Sequence, residues 1–378
     1  MNTMFTRHNP YQALLKKREL LSKKGSEKKV YHLVFDIKDS GITFSCGDSA
    51  SIIPLNDPEI VLKTIKVLGS AENTIITNPF DEKEIKLKDF LTYKANISRT
   101  PLPLLTLLMK TQKNERLIAL LAEEDKAKTE SFINNHELWD FLEEFQPIQV
   151  SAQEICDLLP PLMPRYYTIA SSQKMIKDEI ELIVALVTYE TSGMQRFGVT
   201  TNYLCNLAKA EDDKIPLYIQ KAPHFHLPDD PNTAIIMVGP GVGIAPFRSF
   251  MQERLITKGT DKNWLFFGEQ RKKSDFYYED FFNDLEKKKL LRLDTAFSRD
   301  QDIKVYVQDK IYEQKKDLWK WLNEGAYFYV CGDAARMAKD VEKTLLKIAI
   351  EEGGLTQDQA FEFIKSLKVQ KRYKKDVY

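Results

Sequence analysis

The stretch "TAIIMVGPGVGIAPFRSF", Thr233 to Phe250, narrows the folds open to this chain more than any other. An apolar run of strand length meets Gly239, Gly241 and Gly243, then passes through Pro246 into a segment of helical length. Proline suits a first helical turn. Glycines let a backbone approach a pyrophosphate, and a helix N-terminus offers free N–H groups to anions. The spacing is G-x-G-x-G rather than the G-x-G-x-x-G of the dinucleotide fold, so a plain tight turn is the competing reading.

The apolar runs "NWLFFG", "LLRLDTAFS" and "AYFYVCG" follow, separated by helical stretches that begin near Pro246, Tyr277, Lys310 and Ala334. This alternation predicts a doubly wound parallel sheet over 230–378, an α/β domain. The proline-rich "LPDDPN", Leu227 to Asn232, marks its boundary. Upstream, "VYHLVFDI", "GITFSC", "SASIIPL", "RYYTIASS", "EIELIVALVTYE" and "PLYIQKA" read as short antiparallel strands of a β-barrel over 1–56 and 161–229. Between them, 57–160 turns helical: "DPEIVLKTIKVLG", "TPLPLLTLLMK", "NERLIALLAEED" and "ESFINNHELWDFLEEF" repeat apolar residues three or four apart. Asp57 and Pro58 form an N-cap and N1 pair. The basic "LLKKRELLSKKG" reads as a solvated lead-in rather than a signal, which puts the first barrel strand near Val30.

With 55 basic and 55 acidic side chains in 378 residues, nucleic acid is excluded as the main partner. No run of 18 apolar residues exists, so no membrane span is expected. Cys46, Cys156, Cys205 and Cys331 are scattered, without CxxC pairs or Cys/His clusters. Reduced thiols in a cytoplasmic protein, with no metal site, fit that pattern.

Glu269 follows the second strand of the α/β half, where NAD-selecting folds place an acid on the ribose. Past the third strand, "SRDQDIKVYVQ" supplies Ser298, Arg299, Lys304, Tyr306 and Gln308, a set of charges and donors that suits a 2′-phosphate. In "PRYYTIASS", Arg165 can neutralise a pyrophosphate, and Tyr166 and Tyr167 can pack on a flat ring or simply fill a core. In "RFGVTTNYL", Gly198 permits close approach, and Thr200 and Thr201 are N-cap residues for a second anion-binding turn. Two such turns imply two phosphate-bearing cofactors.

These motifs, with "NWLFFG", "YVCGDAARMAKDV" and the terminal "RYKKDVY", resemble the FAD- and NADPH-binding half of the diflavin reductases from about Asn9 onward. The sulfite-reductase branch is the most similar, and cytochrome P450 reductase is a more distant relative. The resemblance implies an FAD barrel, a helical connecting insertion and an NADPH domain. It assigns FAD contacts to Arg165, Tyr167 and Thr168, to Ile183, Val184, Ala185 and Tyr189, to Gly198, Val199, Thr200 and Thr201, and to Thr92. It assigns NADPH contacts to the glycine loop including Val242, to Ser298 and Arg299, to Lys304, Val305, Tyr306, Val307 and Gln308, and to Asp340. Thr168, Cys331 and Asp376 resemble a polar trio beside the site of hydride transfer, and Tyr378 the aromatic that covers the flavin face. The family usually has serine at Thr168, threonine at Val242 and often arginine near His226. With about thirty residues ahead of the first expected strand, a flavodoxin-like FMN domain of ~150 residues has no room.

The function implied is an FAD-dependent NADPH reductase that delivers electrons to a separate acceptor protein. The acceptor is flavodoxin-like, ferredoxin-like or a sulfite reductase haemoprotein. The alternatives are a stand-alone flavodoxin- or ferredoxin-NADP reductase, and a non-catalytic interaction subunit that has kept the fold.

Overall fold

The computed structural model describes residues 5–112, 114–122, 126–259 and 261–378. Two compact units are present. One comprises Met1–Ser51, Tyr166–Ala185 and Ala210–Tyr378, and the other Ile52–Arg165 and Leu186–Lys209. In chain order the strands are β1 (Tyr11–Leu20), β2 (Val30–Asp36), β3 (Ser49–Ile52), β4 (Ile75–Thr77), β5 (Glu84–Lys86), β6 (Arg165–Thr168), β7 (Glu179–Ala185), β8 (Thr188–Thr191), β9 (Met194–Phe197) and β10 (Lys214–Gln220). The last five are β11 (Ile235–Val238), β12 (Asn263–Glu269), β13 (Arg292–Phe297), β14 (Tyr327–Gly332) and β15 (Tyr373–Val377).

A six-stranded sheet in the first unit has the order β6-β3-β10-β1-β2-β7, with β1 antiparallel to β10 and β2, and β2 antiparallel to β7. Beyond β6, the Ala170 N–H donates to the Glu181 carbonyl of β7 at 2.8 Å. The two ends of the strand order thus meet at a point, and the sheet curls like a barrel without a closed ladder.

Two expectations fail here. The basic lead-in is β1, a central strand. Ala13 and Leu15 are fully buried while Lys16 and Lys17 lie outward, and a register shift between Leu15 and Lys17 breaks the alternation that sequence reading relies on. The sheet therefore starts at Tyr11, not near Val30. "GITFSC" is not a strand. Side chains take its amides: Ile42 N–H donates to Ser40 Oγ, Phe44 N–H to Gln173 Oε1 and Ser45 N–H to Asp48 Oδ2.

The second sheet of this unit is parallel, in the order β13-β12-β11-β14-β15. Its three central strands, β11, β12 and β14, are buried on both faces, and their residues alternate between two cores. Ile235, Met237, Leu265, Phe267, Tyr329 and Cys331 pack with Phe247, Phe250 and Phe282 of the helices Ala245–Thr257 and Glu279–Lys287. Ile236, Val238, Trp264, Phe266, Phe328 and Val330 pack with Ile311, Leu318, Val341 and Ile364 on the helices of the other face. The first core also takes in Val30, Ala170 and Ile183 of the antiparallel sheet.

The second unit is mainly helical, with the hairpins β4–β5 and β8–β9. Its first helix, Pro58–Val67, is capped by Asp57, whose carboxylate accepts from Glu59 N–H at 2.9 Å. "NERLIALLAEED" folds as the helix Glu115–Ala122, and its end at 123–125 lies outside the described residues. "ESFINNHELWDFLEEF" is not one helix but two, Lys126–Asn134 and Leu138–Glu144. His136 at the break donates its Nδ1–H back to Phe132 O at 2.8 Å, and its Nε2 pairs with Glu144 at 2.7 Å. Arg196 of β9 is buried and joins Glu137 at 3.2 Å and Asp140, over the Trp139 ring.

Candidate active site

In an open parallel sheet the ligand crevice forms at the carboxyl ends of the strands where their order reverses. Here that point lies between β11 and β14. The glycine loop leaves β11 as one turn of 3-10 helix, Gly241–Ile244, and runs into Ala245–Thr257 with no side-chain cap. Its first N–H groups are therefore not taken by a capping side chain. A Cβ on Gly239 would sit 2.6 Å from Gly243 O and the Phe247 ring, and Gly241 holds φ +59°. A Cβ on Gly243 would lie 2.2 Å from Cys331 O. The loop is thus pressed against the end of β14, and this cradle fits a pyrophosphate.

Cys331 lies on β14 opposite Asp376 of the parallel edge strand β15. Thr168 Oγ1 donates to Asp376 Oδ2 at 2.6 Å, and Cys331 Sγ donates to the same oxygen at 3.7 Å. The expected trio therefore converges on one carboxylate oxygen. Burial, then the neighbouring Asp376 charge, pushes the Cys331 thiol well above its ordinary range, so it is a protonated donor at neutral pH. Tyr378 is held by its backbone: its N–H donates to Gly332 O and its carbonyl accepts from Ala334 N–H, each at 3.1 Å. Its residue surface remains 67% exposed.

Beside the loop lies a cleft of about 570 Å³. Gly241, Ser298, Arg299, Lys304, Tyr306, Val307, Gln308 and Asp340 line it, as does Glu269. Ser298 N–H donates to Glu269 O at 2.9 Å, and Arg299 N–H to Gln270 O at 2.8 Å, so the turn after β13 is fastened to the end of β12. Arg299, Lys304 and the Ser298 hydroxyl fit a phosphate monoester. Val307 reaches the cleft but is a core residue at 3% exposure, and Val305 and Val242 pack against the two cores without lining the cleft. Lys28, Asp333, Arg336 and Met337 also line it and were not anticipated. Lys28 sits in the β1–β2 connection, remote in sequence, where a lone basic residue carries no signal. Arg336 lay within the matched "YVCGDAARMAKDV" motif, which was its only cue.

Some of the residues expected at a flavin fall in the first unit and some in the second. In the first, Tyr166 is 57% exposed and Tyr167 half-buried, so neither is a core ring. Ile183, Val184 and Ala185 end β7, which pairs with β2 on one side and closes the strand order on the other. In the second, Arg165 is exposed at the start of β6, and Tyr189 lies on β8. Gly198, not Thr200 or Thr201, is the N-cap of the turn Val199–Asn202, and no side chain caps it. Both threonines are buried inside the first turn, where Thr201 Oγ1 accepts from Val187 N–H and donates to Gly198 O. The turn still presents open N–H groups, which fits a phosphate. Thr92 donates its hydroxyl to Lys88 O at 2.7 Å within its own helix, Leu87–Tyr93.

No helix among the described residues is long and apolar enough to cross a membrane. The sequence matches the FAD binding domain model over residues 3–203 and the oxidoreductase NAD-binding domain model over 237–343. It is 39% identical over 378 residues to the sulfite reductase (NADPH) flavoprotein alpha-component of Shewanella sp. (strain MR-4), covering 99% of this chain and 62% of the relative. The proteins of the same description from Cronobacter sakazakii and Escherichia coli O9:H4 are 38% and 37% identical, again with 62% of their length covered. The chain thus spans under two thirds of the relatives it matches. It belongs to the FAD binding domain family, with an oxidoreductase NAD-binding domain following in the same chain.

Proposed function

We propose that this chain is an FAD-dependent NADPH reductase that passes electrons to a separate redox protein in the cytoplasm, as the FAD- and NADPH-binding part of a sulfite reductase flavoprotein-like system. The observation that carries this reading is the meeting of Thr168 and Cys331 on Asp376 Oδ2, at the mouth of the glycine loop. When bound, the cofactors supply hydride transfer from nicotinamide to the flavin ring and its release as single electrons. The protein's share is placement and electrostatics. The glycine loop receives the NADPH pyrophosphate through the open helix N-terminus. Ser298, Arg299, Lys304, Tyr306 and Gln308 take the 2′-phosphate, with Asp340 at the cleft edge. Tyr166, Tyr167 and the backbone of Ile183–Ala185 are the flavin-side residues of the first unit. The resemblance adds the motifs around Arg165, Thr92, Tyr189 and Gly198–Thr201 as further flavin contacts. Asp376, fixed by two donors, presents negative charge where the nicotinamide becomes cationic. Thr168 holds that carboxylate's orientation, and Cys331 stays protonated, adding a donor without adding charge. Tyr378, anchored by its backbone, would cover the face of a bound flavin.

A visible spectrum of the purified protein before and after anaerobic NADPH tests this reading. One FAD per chain and bleaching of the flavin band are expected. A folded protein that is colourless and inert to NADPH would overturn it, and NADPH binding without bleaching would favour a non-catalytic subunit. Turnover with flavodoxin, ferredoxin and a sirohaem sulfite reductase subunit then ranks the acceptors. A preference for either of the first two would favour a stand-alone reductase.

A further inference from the structure

Glu269 is an anomaly in a cleft read as a phosphate site. Its side chain is only 3% exposed, yet it lines the cleft. Its Oε1 lies 3.4 Å from where a Cβ on Gly241 would be, against the pyrophosphate loop. On the other side, its backbone carbonyl accepts from Ser298 N–H at 2.9 Å, at the expected 2′-phosphate end. Glu269 therefore stands between the two phosphate positions, where the adenosine ribose must lie. A carboxylate there accepts hydrogen bonds from free ribose hydroxyls and repels a 2′-phosphate. Its charge is masked on one flank, because Lys28 Nζ bonds Oε1 at 2.6 Å. Gln270 N–H donates to Oε2 at 2.6 Å, and the Tyr277 hydroxyl lies 3.4 Å from Oε1.

Resting on the nucleotide reading of this cleft, we propose that Glu269 and Lys28 form a specificity-determining pair that sets the preference between NADPH and NADH. The carboxylate gives the ribose of NADH an acceptor. The ammonium offsets the carboxylate enough for a 2′-phosphate to enter beside Arg299 and Lys304. Neutralising Glu269 leaves Lys28 as excess positive charge and sharpens selection for the phosphorylated nucleotide. Removing the Lys28 charge does the reverse.

Calorimetric titration of the FAD-loaded protein with 2′,5′-ADP and 5′-AMP reads the pair directly, because these ligands differ only in the 2′-phosphate. Glu269→Gln is expected to shift the ratio of dissociation constants about tenfold towards 2′,5′-ADP, the scale of one partly screened charge contact. Lys28→Gln shifts it the other way, and Glu269→Asp, which keeps the charge, holds the parental ratio. The rates of flavin reduction by NADPH and NADH follow the same order. Unchanged ratios in Glu269→Gln and Lys28→Gln, with only a lower melting temperature, would make the pair purely structural and overturn the proposal. If Glu269→Gln loses FAD or fails to fold, the exposed Lys28→Gln carries the test alone. A parent that binds neither ligand overturns the nucleotide reading, and the proposal falls with it.

Discussion

Cys331 and Asp376 lie opposite each other on the adjacent parallel strands β14 and β15, and the thiol donates to Oδ2 of the carboxylate at 3.7 Å. Thr168 reaches the same oxygen from the other sheet of the unit. Asp376→Asn keeps an oxygen for both donors and removes the charge. Stopped-flow reduction of the flavin by NADPH without oxygen is expected to slow by roughly a hundredfold, the scale of losing one preorganised electrostatic partner. Cys331→Ser, which keeps a donor, is expected to cost less. Parental rates in Asp376→Asn would remove the carboxylate from the chemistry.

Tyr378 is anchored through its backbone, and the residue as a whole is 67% exposed. Tyr378→Ala keeps the anchor and deletes the ring. Losing an aromatic stack of about 1 kcal/mol should let NADH compete several-fold better against NADPH and should perturb the flavin absorption band. Unchanged nucleotide preference together with an unchanged spectrum would reduce this residue to surface.

Gly243 has no room for a methyl group, since its Cβ would meet Cys331 O at 2.2 Å. Gly243→Ala must displace either the loop or the end of β14, at a cost of about 1–3 kcal/mol. A lower urea midpoint with slower flavin reduction is expected. A variant as stable and as fast as the parent would show that the loop yields freely.

Arg196 is the buried cation between Glu137 and Asp140. Arg196→Met leaves two buried carboxylates unpaired, a loss of about 3–5 kcal/mol near neutral pH. Burial already raises both acids above their ordinary range, against the opposing pull of Arg196. Without that pull, the native state of the variant binds protons more tightly than the unfolded chain. Its deficit should then shrink as pH falls towards the ordinary carboxylate range and grow as pH rises. Melting temperatures of both proteins between pH 5 and 8 would show this, and a deficit independent of pH would refute it.

The parallel sheet was legible because β11, β12 and β14 are apolar runs that end at glycine, and the glycine loop announced the crevice, whereas the edge strand β15, YKKDV, carries no such run. The trio was legible only through resemblance: nothing in "RYKKDVY" says that strand register will set its acid against Cys331. β1 was hidden by its charges, because a strand with one wet face and a register shift looks like a basic linker. Thr201 was misread as a cap since its hydroxyl closes on Val187 and Gly198, a tertiary choice no spacing reveals. Lys28 and Glu269 stood 241 residues apart, too far for any local pattern to join them.

The Thr168–Asp376 bond joins β6 and β15, which end their respective sheets. At 2.6 Å it tolerates little: a relative slip of about 1 Å takes it beyond hydrogen-bonding range. The bond therefore acts as a latch between the margins of the antiparallel and the parallel sheet. In the reductase proposed above, the fraction of time it stays closed would set how often the site is assembled, and an electron acceptor that leans on either sheet would tune that occupancy without touching a cofactor.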